Sequence, residues 1–469
     1  MFQFGYFEVA MTDFSVQGAT VVVVGAARSG IAAARLLAAR GGQVVLTEQQ
    51  REVDASVSSL REDGVELELG GHDPHTLTSA ELVVLSPGVS PTLPVLDAVR
   101  RRGVPVISEV ELASRWLRGR LVAVTGTKGK STTVVLLGRM LEAGGRAVLV
   151  GGNVGTALSS QVERSTPDVI HVVEVSSFQL ELTTSFRPSI AVLLNLHTDH
   201  LDRHGGYEPY VSAKARIFAN QTESDTLVIN GDDREVVRLT DRSRAPRYPY
   251  ALNERVDDGV TVVDEIITCR RPSGDLPLVP VSAVHLLGRH LLSDVLAATT
   301  VAHRLGVSGA DMTRAVEQFT GLDHALEPVG HVDGVRFIND SKATNIVAAR
   351  QAIESCGTHL VVIMGGRFKG GDLMSLAPLL EERVDAVVAI GEARDRIHDT
   401  LESSVRVIRV ESLGAAVLAS FGLARPGGTV LLAPACASLD MFQNYAERGL
   451  VFTQAVSRLR EDVEEKREQ

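Results

Sequence analysis

Cysteine is scarce in this chain of 469 residues: Cys269, Cys356 and Cys436 are all there is, far apart from one another. That leaves no disulfide framework and no cysteine spacing of the metal-binding kind, and it fits a protein kept reduced in a cytoplasmic setting. Positive charge is short as well. A formal net charge of −11 argues against general binding to nucleic acid or to an anionic membrane. Any phosphate site must therefore be a local feature of backbone or of a few cations. No apolar run approaches the ~20 residues needed to cross a bilayer, so no membrane insertion is expected. The opening MFQFGYFEVA lacks the basic region and sustained apolar stretch of a secretory signal. Met11 is a second candidate start, with Met1 to Ala10 as a disordered extension. Aromatics make up only 4% of the chain, as in alanine- and valine-rich α/β enzymes. The length exceeds one ordinary core and points to two or three domains.

What is present is a phosphate-loop string, TGTKGKST, from Thr125 to Thr132. It follows the apolar run Leu121 to Val124 and precedes a helix-patterned stretch ending at Gly144-Gly145. A glycine-bounded turn between strand and helix aims backbone N–H groups and the positive helix end at one point. Lys130 adds a cation for phosphate oxygens and Ser131 a hydroxyl for Mg²⁺. Only two residues separate Gly126 from Gly129, fewer than in G-x-x-x-x-G-K-[ST], and the bland alternative is a glycine turn carrying an exposed lysine. The flanking strand and helix favour a nucleoside triphosphate.

Three βα modules follow one another. The first runs from the strand Ala19 to Gly25 through AARSG into an alanine-rich helix, Ile31 to Ala39. Gly41-Gly42 stops that helix, and QVVLTE ends at Glu48. This is a Rossmann-like opening in which Gly25 and Gly30 permit close backbone approach, although it is not G-x-G-x-x-G and a ligand-free turn is the alternative. The strand LVVLS leads into Ser86-Pro87-Gly88. The second module starts near Arg118 and carries the phosphate loop, then VVEVSSFQLE (Val172 to Glu181) and AVLLNLHTDHLDRHG (Ala191 to Gly205). Asp225 to Pro280 alternates like short strands, a small extra sheet or elaboration, and a helical stretch from His290 to Gly306 closes the module. The third restarts at Gly334 and holds strands at His359 to Gly366, Ala386 to Gly391 and Thr429 to Ser438. The charged end from Arg458 reads as a solvated helix terminus. The fold class expected is α/β, three domains built on parallel sheets.

Polar residues gather where the apolar runs stop, at the carboxyl ends of strands where open sheets bind ligands. Glu174 stands beside the phosphate loop, as a carboxylate for Mg²⁺ would; a surface glutamate opening a turn is the alternative. Asp199 to His204 is dense in groups for metal or phosphate. Lys214, on a helical segment, reads from pattern alone as a solvated or salt-bridged lysine. Asp340, Ser341, Lys342, Thr344 and Asn345 crowd another strand end, Lys369 follows a glycine pair, and Ser438 follows a buried strand. Three such clusters suggest a cleft between modules.

TGTKGKST, EVSSFQLE, DHLDRHG, NDSKATN and APACASLD, in this order, resemble the Mur ligases, with support from SPGVSP, GGNVGTAL, YVSAKARIF and YAERGLVF. DHLDRHG followed by AKARIF, and NDSKATN, favour the members that add D-glutamate. The resemblance spans nearly the whole chain after Met11. It implies a Rossmann-like domain for the UDP moiety at residues 1–108, a central P-loop ATPase-type domain at 109–321, and a Rossmann-like amino-acid-binding domain at 322–469. It implies a cytoplasmic, monomeric ligase acting on UDP-N-acetylmuramoyl-L-alanine, D-glutamate and ATP with Mg²⁺. The muramoyl-alanine carboxylate would attack the γ-phosphate, and the amine of D-glutamate would then attack the acyl phosphate. Gly126, Thr127, Lys128, Gly129, Lys130, Ser131 and Thr132 would hold ATP, with Asp340 and Lys342 nearby. Glu174 and His200 would serve magnesium, together with Ser131 and with Lys214 as a carbamate. Lys130, Glu174, His200 and Lys214 would form the catalytic set. Ala27, Arg28, Ser29, Glu48, Ser86, Gly88 and Asn153 would meet the UDP-sugar, His200 would also face it, and Thr344, Lys369, Ser438 and Tyr445 would bind the amino acid.

The chain departs from the family pattern on the ATP side. Where H-N-x-x-N is usual it has His290, Leu291 and Asp294, and where H-R-x-E is usual it has His324, Ala325, Leu326 and Glu327. The acidic residue of GGxDKG is also lost from Gly365 to Gly370. Arg367 or Lys128 are candidates to supply the missing cation, and a looser nucleotide preference is expected. The rivals are a ligase adding L-glutamate, a folylpolyglutamate synthase-like enzyme, and a non-catalytic nucleotide-binding derivative.

Overall fold

The computed structural model describes residues 14–198, 201–254, 256–286, 289–424 and 426–468. The expected extension Met1 to Ala10, Met11, Asp199 and His200 lie outside the described residues. Three sheets account for the strands described, each wrapped by helices.

In the first sheet are β1 (Thr20–Val24), β2 (Gln43–Glu48), β3 (Glu66–Leu69), β4 (Leu82–Leu85) and β5 (Val106–Ser108). Their order is β3-β2-β1-β4-β5 and every pairing is parallel. Both faces are covered, which is why β1 is uninterrupted valine after Thr20: Val21 and Val23 enter one apolar cluster, Val22 and Val24 another. The helix Arg28–Ala39 can lie close to β1 only because residue 30 is glycine. A Cβ there would stand 1.9 Å from the Gly25 carbonyl oxygen.

The second sheet holds β6 (Arg120–Thr125), β7 (Val148–Gly152), β8 (Ile170–Glu174), β9 (Ile190–Leu193), β10 (Thr226–Asn230), β11 (Arg247–Ala251), β12 (Gly259–Val263), β13 (Ile266–Arg270) and β14 (Leu276–Pro280). The order is β14-β13-β12-β11-β10-β9-β6-β8-β7. The alternating segment from Asp225 is thus an elaboration of this sheet rather than a separate one. Its β10, β11 and β12 continue the parallel edge of β9, and β13 and β14 close it with antiparallel pairings. A parallel sheet ending at β9 would leave an open edge, which these strands cover.

In the third sheet, β15 (Glu327–Val332), β16 (Val335–Asn339), β17 (Leu360–Gly365), β18 (Val384–Ile390), β19 (Val407–Arg409) and β20 (Thr429–Leu432) take the order β15-β16-β20-β17-β18-β19. Only β15 runs antiparallel to its neighbour. Leu360, Val362 and Met364 face one core, Val361 and Ile363 the other. The first two sheets belong to one compact unit, residues up to 284 with 293–317; residues 285–292 and 318 onward form a second. Within the first unit, the helix Glu109–Ser114 ties the sheets together. The Glu111 carboxylate accepts the backbone N–H groups of Thr184, Ser185 and Phe186 and an ion pair from Arg115 at 2.8 Å.

Candidate functional site

β6 delivers the phosphate loop, and Gly129 turns it into the helix Lys130–Ala143 from a left-handed φ of 82°. Asn195, just past β9, fixes the turn: its Oδ1 accepts from the Thr127 and Lys128 amides at 2.9 and 2.8 Å, and its Nδ2 donates to the Lys128 carbonyl at 3.1 Å. Thr127 Oγ1 lies 2.8 Å from the Tyr210 hydroxyl and accepts from the His197 amide at 3.0 Å. The side of the loop facing β9 is thereby saturated. The opening turn of the helix, whose amides have no acceptor within the helix, crowns its other end.

Two lysines meet at this loop. Lys130 Nζ donates to the carbonyls of Gly126 and Thr127 at 3.0 and 2.9 Å. Lys214, on the helix Tyr207–Ala215, donates to the same Gly126 oxygen at 2.7 Å and lies 4.7 Å above the Tyr210 ring. At 2% exposure it is not the solvated lysine that pattern alone suggested. Tertiary packing has turned this face of a short helix inward, which periodicity over nine residues could not reveal.

Glu174, 2% exposed at the end of β8, accepts from Ser131 Oγ at 2.6 Å and from Asn153 Nδ2 at 2.8 Å. The surface-glutamate alternative therefore fails. Asn153 carries the connection onward, since its carbonyl accepts from Arg28 Nη2 at 3.0 Å. Arg28 follows the turn after β1, where the Ala26 amide donates to Glu48 at 2.7 Å and Ser86 Oγ donates to the Gly25 carbonyl at 2.9 Å. Ala27 caps the helix with extended backbone and Ser29 is buried in its first turn. Gly88 is the exception on this side: a Cβ there would touch nothing within 4 Å, so packing does not require glycine. A continuous path of hydrogen bonds thus joins the β1 turn to the phosphate loop.

Asp294 lies over the loop. A Cβ on Gly129 would stand 2.0 Å from its Oδ1. Burial raises the Asp294 carboxyl to about 8, against an opposing pull from Lys130. Ser131 and Glu174 offer oxygen donors beside an anion-binding helix end, which suits a hard divalent cation. Among the described residues no group of three histidine, cysteine or carboxylate side chains forms a ready-made metal cage, and His200 lies outside them.

In the second unit the remaining candidates occupy the ends of β16, β17 and β20. Asp340 is buried and accepts the Leu326 amide at 3.2 Å, while the Lys342 amide donates to the His324 carbonyl at 3.0 Å. Thr344 is half-buried, and Asn345 caps the next helix through the Ala348 amide. The loops after β17 and β20 are zipped by reciprocal Arg367–Ala437 backbone bonds of 2.8 and 2.9 Å, which place Lys369 and Ser438 on adjoining segments. Lys369 is exposed and Ser438 buried, and Tyr445 opens the helix Tyr445–Glu468. Arg367, a candidate replacement cation, pairs with Glu392 at 3.1 Å. Asn195, Tyr210 and Arg448 were not picked out in the sequence. Asn195 ends an apolar run as Glu174 does, Tyr210 opens YVSAKARIF and Arg448 lies within YAERGLVF, but nothing in those strings says which partners they meet.

Comparison with known proteins bears on this arrangement. The Mur ligase MurD-like N-terminal domain matches residues 19–108, the Mur ligase middle domain 124–302, and the Mur ligase glutamate ligase domain 326–436. A UDP-N-acetylmuramoylalanine–D-glutamate ligase of Acidobacterium capsulatum is 43% identical over 94% of this chain and 96% of its own length. One of Koribacter versatilis is 40% identical over 95% and 99%. Among solved structures, the UDP-N-acetylmuramate–alanine ligase MurC of Thermotoga maritima superposes with a TM-score of 0.58 at 20% identity, covering 94% of this chain and 99% of that one. At that identity the likeness speaks to the fold. With Mur ligase N-terminal, middle and C-terminal domains all matched and relatives at 40–43% identity along nearly its whole length, the chain belongs to the Mur ligase family, on the branch of the UDP-N-acetylmuramoylalanine–D-glutamate ligases.

Proposed function

We propose that this enzyme joins D-glutamate to the L-alanyl carboxylate of UDP-N-acetylmuramoyl-L-alanine, driven by ATP cleavage through an acyl phosphate. The observation that carries the reading is the convergence of Lys130, Lys214, Ser131 and Glu174 on one phosphate loop. The reaction brings a carboxylate against a triphosphate, and like charges approach only where cations and amides offset them. Residues 126–132 cradle the phosphates, with Lys130 leaving the Gly126 carbonyl to reach the transferring group. Ser131 and Glu174 would hold Mg²⁺ together with His200 and a carbamylated Lys214, and the cation would supply charge neutralisation at the phosphoryl oxygens. Residues 1–108 bind the UDP moiety through Ala27, Arg28, Ser29, Glu48, Ser86 and Gly88. Asn153 reaches the sugar from the central domain, 109–321. The domain 322–469 presents Thr344, Lys369, Ser438 and Tyr445 to the two carboxylates of D-glutamate, and Asp340 and Lys342 to the nucleotide. The protein works in the cytoplasm as a monomer.

Phosphate release with ATP and UDP-N-acetylmuramoyl-L-alanine should require D-glutamate and fail with L-glutamate. Turnover with L-glutamate alone would favour the rival ligase. Absence of acceptor-dependent release, or its persistence in Lys130→Ala, would sink the assignment.

A further inference from the structure

Arg448 is a fully buried cation: 0% of it is exposed. Burial lowers its guanidinium to about 10, so it stays charged at neutral pH, with Asp440 the nearby carboxylate that supports the charge. Its hydrogen bonds run to three loops at the ends of three strands. Nε donates to Ser341 Oγ at 3.0 Å and Nη2 to the Ser341 carbonyl at 2.9 Å, just past β16. Nη1 donates to the Gly365 carbonyl at 3.3 Å, at the end of β17, and to the Cys436 carbonyl at 3.2 Å, past β20. Ser341 Oγ in turn donates to the Tyr445 carbonyl at 2.7 Å. Gly366 makes room for this: a Cβ there would lie 3.2 Å from Arg448 Nη1 and 2.1 Å from the Ala437 carbonyl.

Each of those acceptors stands next to a residue assigned to the amino acid. Thr344 comes three residues after Ser341, Lys369 four after Gly365, and Ser438 two after Cys436. A planar fork with five donors satisfies the three separate loops at once. Resting on the reading of this domain as the D-glutamate site, we infer that Arg448 is its positioning residue, fixing the three loops so that Thr344, Lys369 and Ser438 converge on one dicarboxylate. Arg448 does not touch that ligand. It sets the spacing of the groups that do.

The test is steady-state kinetics of the full-length enzyme with Arg448→Met and Arg448→Lys, varying each substrate in turn. Losing charge-assisted bonds of this kind is expected to raise KM for D-glutamate about tenfold or more in Arg448→Met. KM for UDP-N-acetylmuramoyl-L-alanine, assigned to residues 1–108, should stay within about twofold. Arg448→Lys keeps the charge but not the fork, and should fall between wild type and Arg448→Met. A D-glutamate KM unchanged in Arg448→Met, or KM for UDP-N-acetylmuramoyl-L-alanine rising in parallel, overturns the inference. If Arg448→Met does not fold, Arg448→Lys and Ser341→Ala decide, and an unchanged D-glutamate KM in both overturns it. A wild-type enzyme inactive with D-glutamate would instead overturn the functional reading, independently of any variant.

Discussion

Lys130 and Lys214 donate to the same oxygen, the carbonyl of Gly126, at 3.0 and 2.7 Å. Their ammonium groups are therefore no more than about 6 Å apart, a repulsion of ~3 kcal/mol at an effective dielectric of about 20. A carbamate on Lys214 would turn that repulsion into attraction and give a divalent cation an oxygen ligand. Arginine at 214 would keep the charge but could not be carbamylated. Lys214→Arg is expected to lose ~100-fold or more in kcat with little change in thermal stability. A variant retaining more than about a tenth of wild-type turnover would rule the carbamate out.

Gly129 and Asp294 constrain each other. At φ 82° any side chain at position 129 is strained, at a cost of ~1 kcal/mol or more, and the new Cβ would lie 2.0 Å from Asp294 Oδ1. Gly129→Ala should raise KM for ATP about tenfold or more while leaving KM for D-glutamate unchanged. Adding Asp294→Ala removes the collision but not the backbone strain, so the double variant should recover part of the loss. Strictly additive effects on KM would show that the two residues do not meet.

The parallel strands were legible because a strand buried on both faces must be apolar throughout, as β1 after Thr20, β9 and β17 are. The phosphate loop was legible because its glycines and lysine lie in one short string. Pattern alone puts Lys214 in solvent because nothing within its helix announces that Tyr210 and the Gly126 carbonyl will enclose it; only the resemblance to the Mur ligases gives it a role. Asn195 and Arg448 act through loops that are distant in sequence, so local pattern could not assign their partners. The segment after Asp225 does form short strands, but β10 and β13 each bury three consecutive residues rather than alternating, and their attachment to the central sheet depends on the open edge of β9, which the string does not contain.

Asp294 also makes stability depend on pH. Burial lifts its carboxyl from 3.8 to about 8, so between those values the folded protein holds a proton that the unfolded chain has released. Folding stability from this group therefore falls as pH rises from about 4 to about 8, by at most ~1.4 kcal/mol per pH unit, and levels off above. Lys130 favours the charged form, and Tyr250 faces the same carboxylate. Asp294→Asn removes the proton-linked penalty. Its melting temperature should exceed wild type more at pH 9 than at pH 5; an equal difference at both would mean that the carboxyl titrates normally.

Glu111 shows the opposite sign. Its side chain is wholly buried, and desolvation alone would raise its carboxyl. The hydrogen bond from Ser185, the bond and charge of Arg115 and the Thr184 amide together outweigh burial and hold it below the usual value. Such a group contributes stability above its unfolded pKa and loses it as pH falls through the folded one. Glu111→Ala leaves Arg115 without its partner and three amides at 184–186 without their acceptor, a loss of ~3–5 kcal/mol. Because that carboxylate joins the helix after β5 to the central sheet, the first two sheets should lose cooperativity as well as stability. Denaturant unfolding is expected to show a lower midpoint for Glu111→Ala at pH 7, with the gap from wild type narrowing as pH falls below the ordinary glutamate value of 4.5. A gap that stayed constant across that range would mean that the charge of Glu111 contributes nothing to the joint and that its packing alone matters.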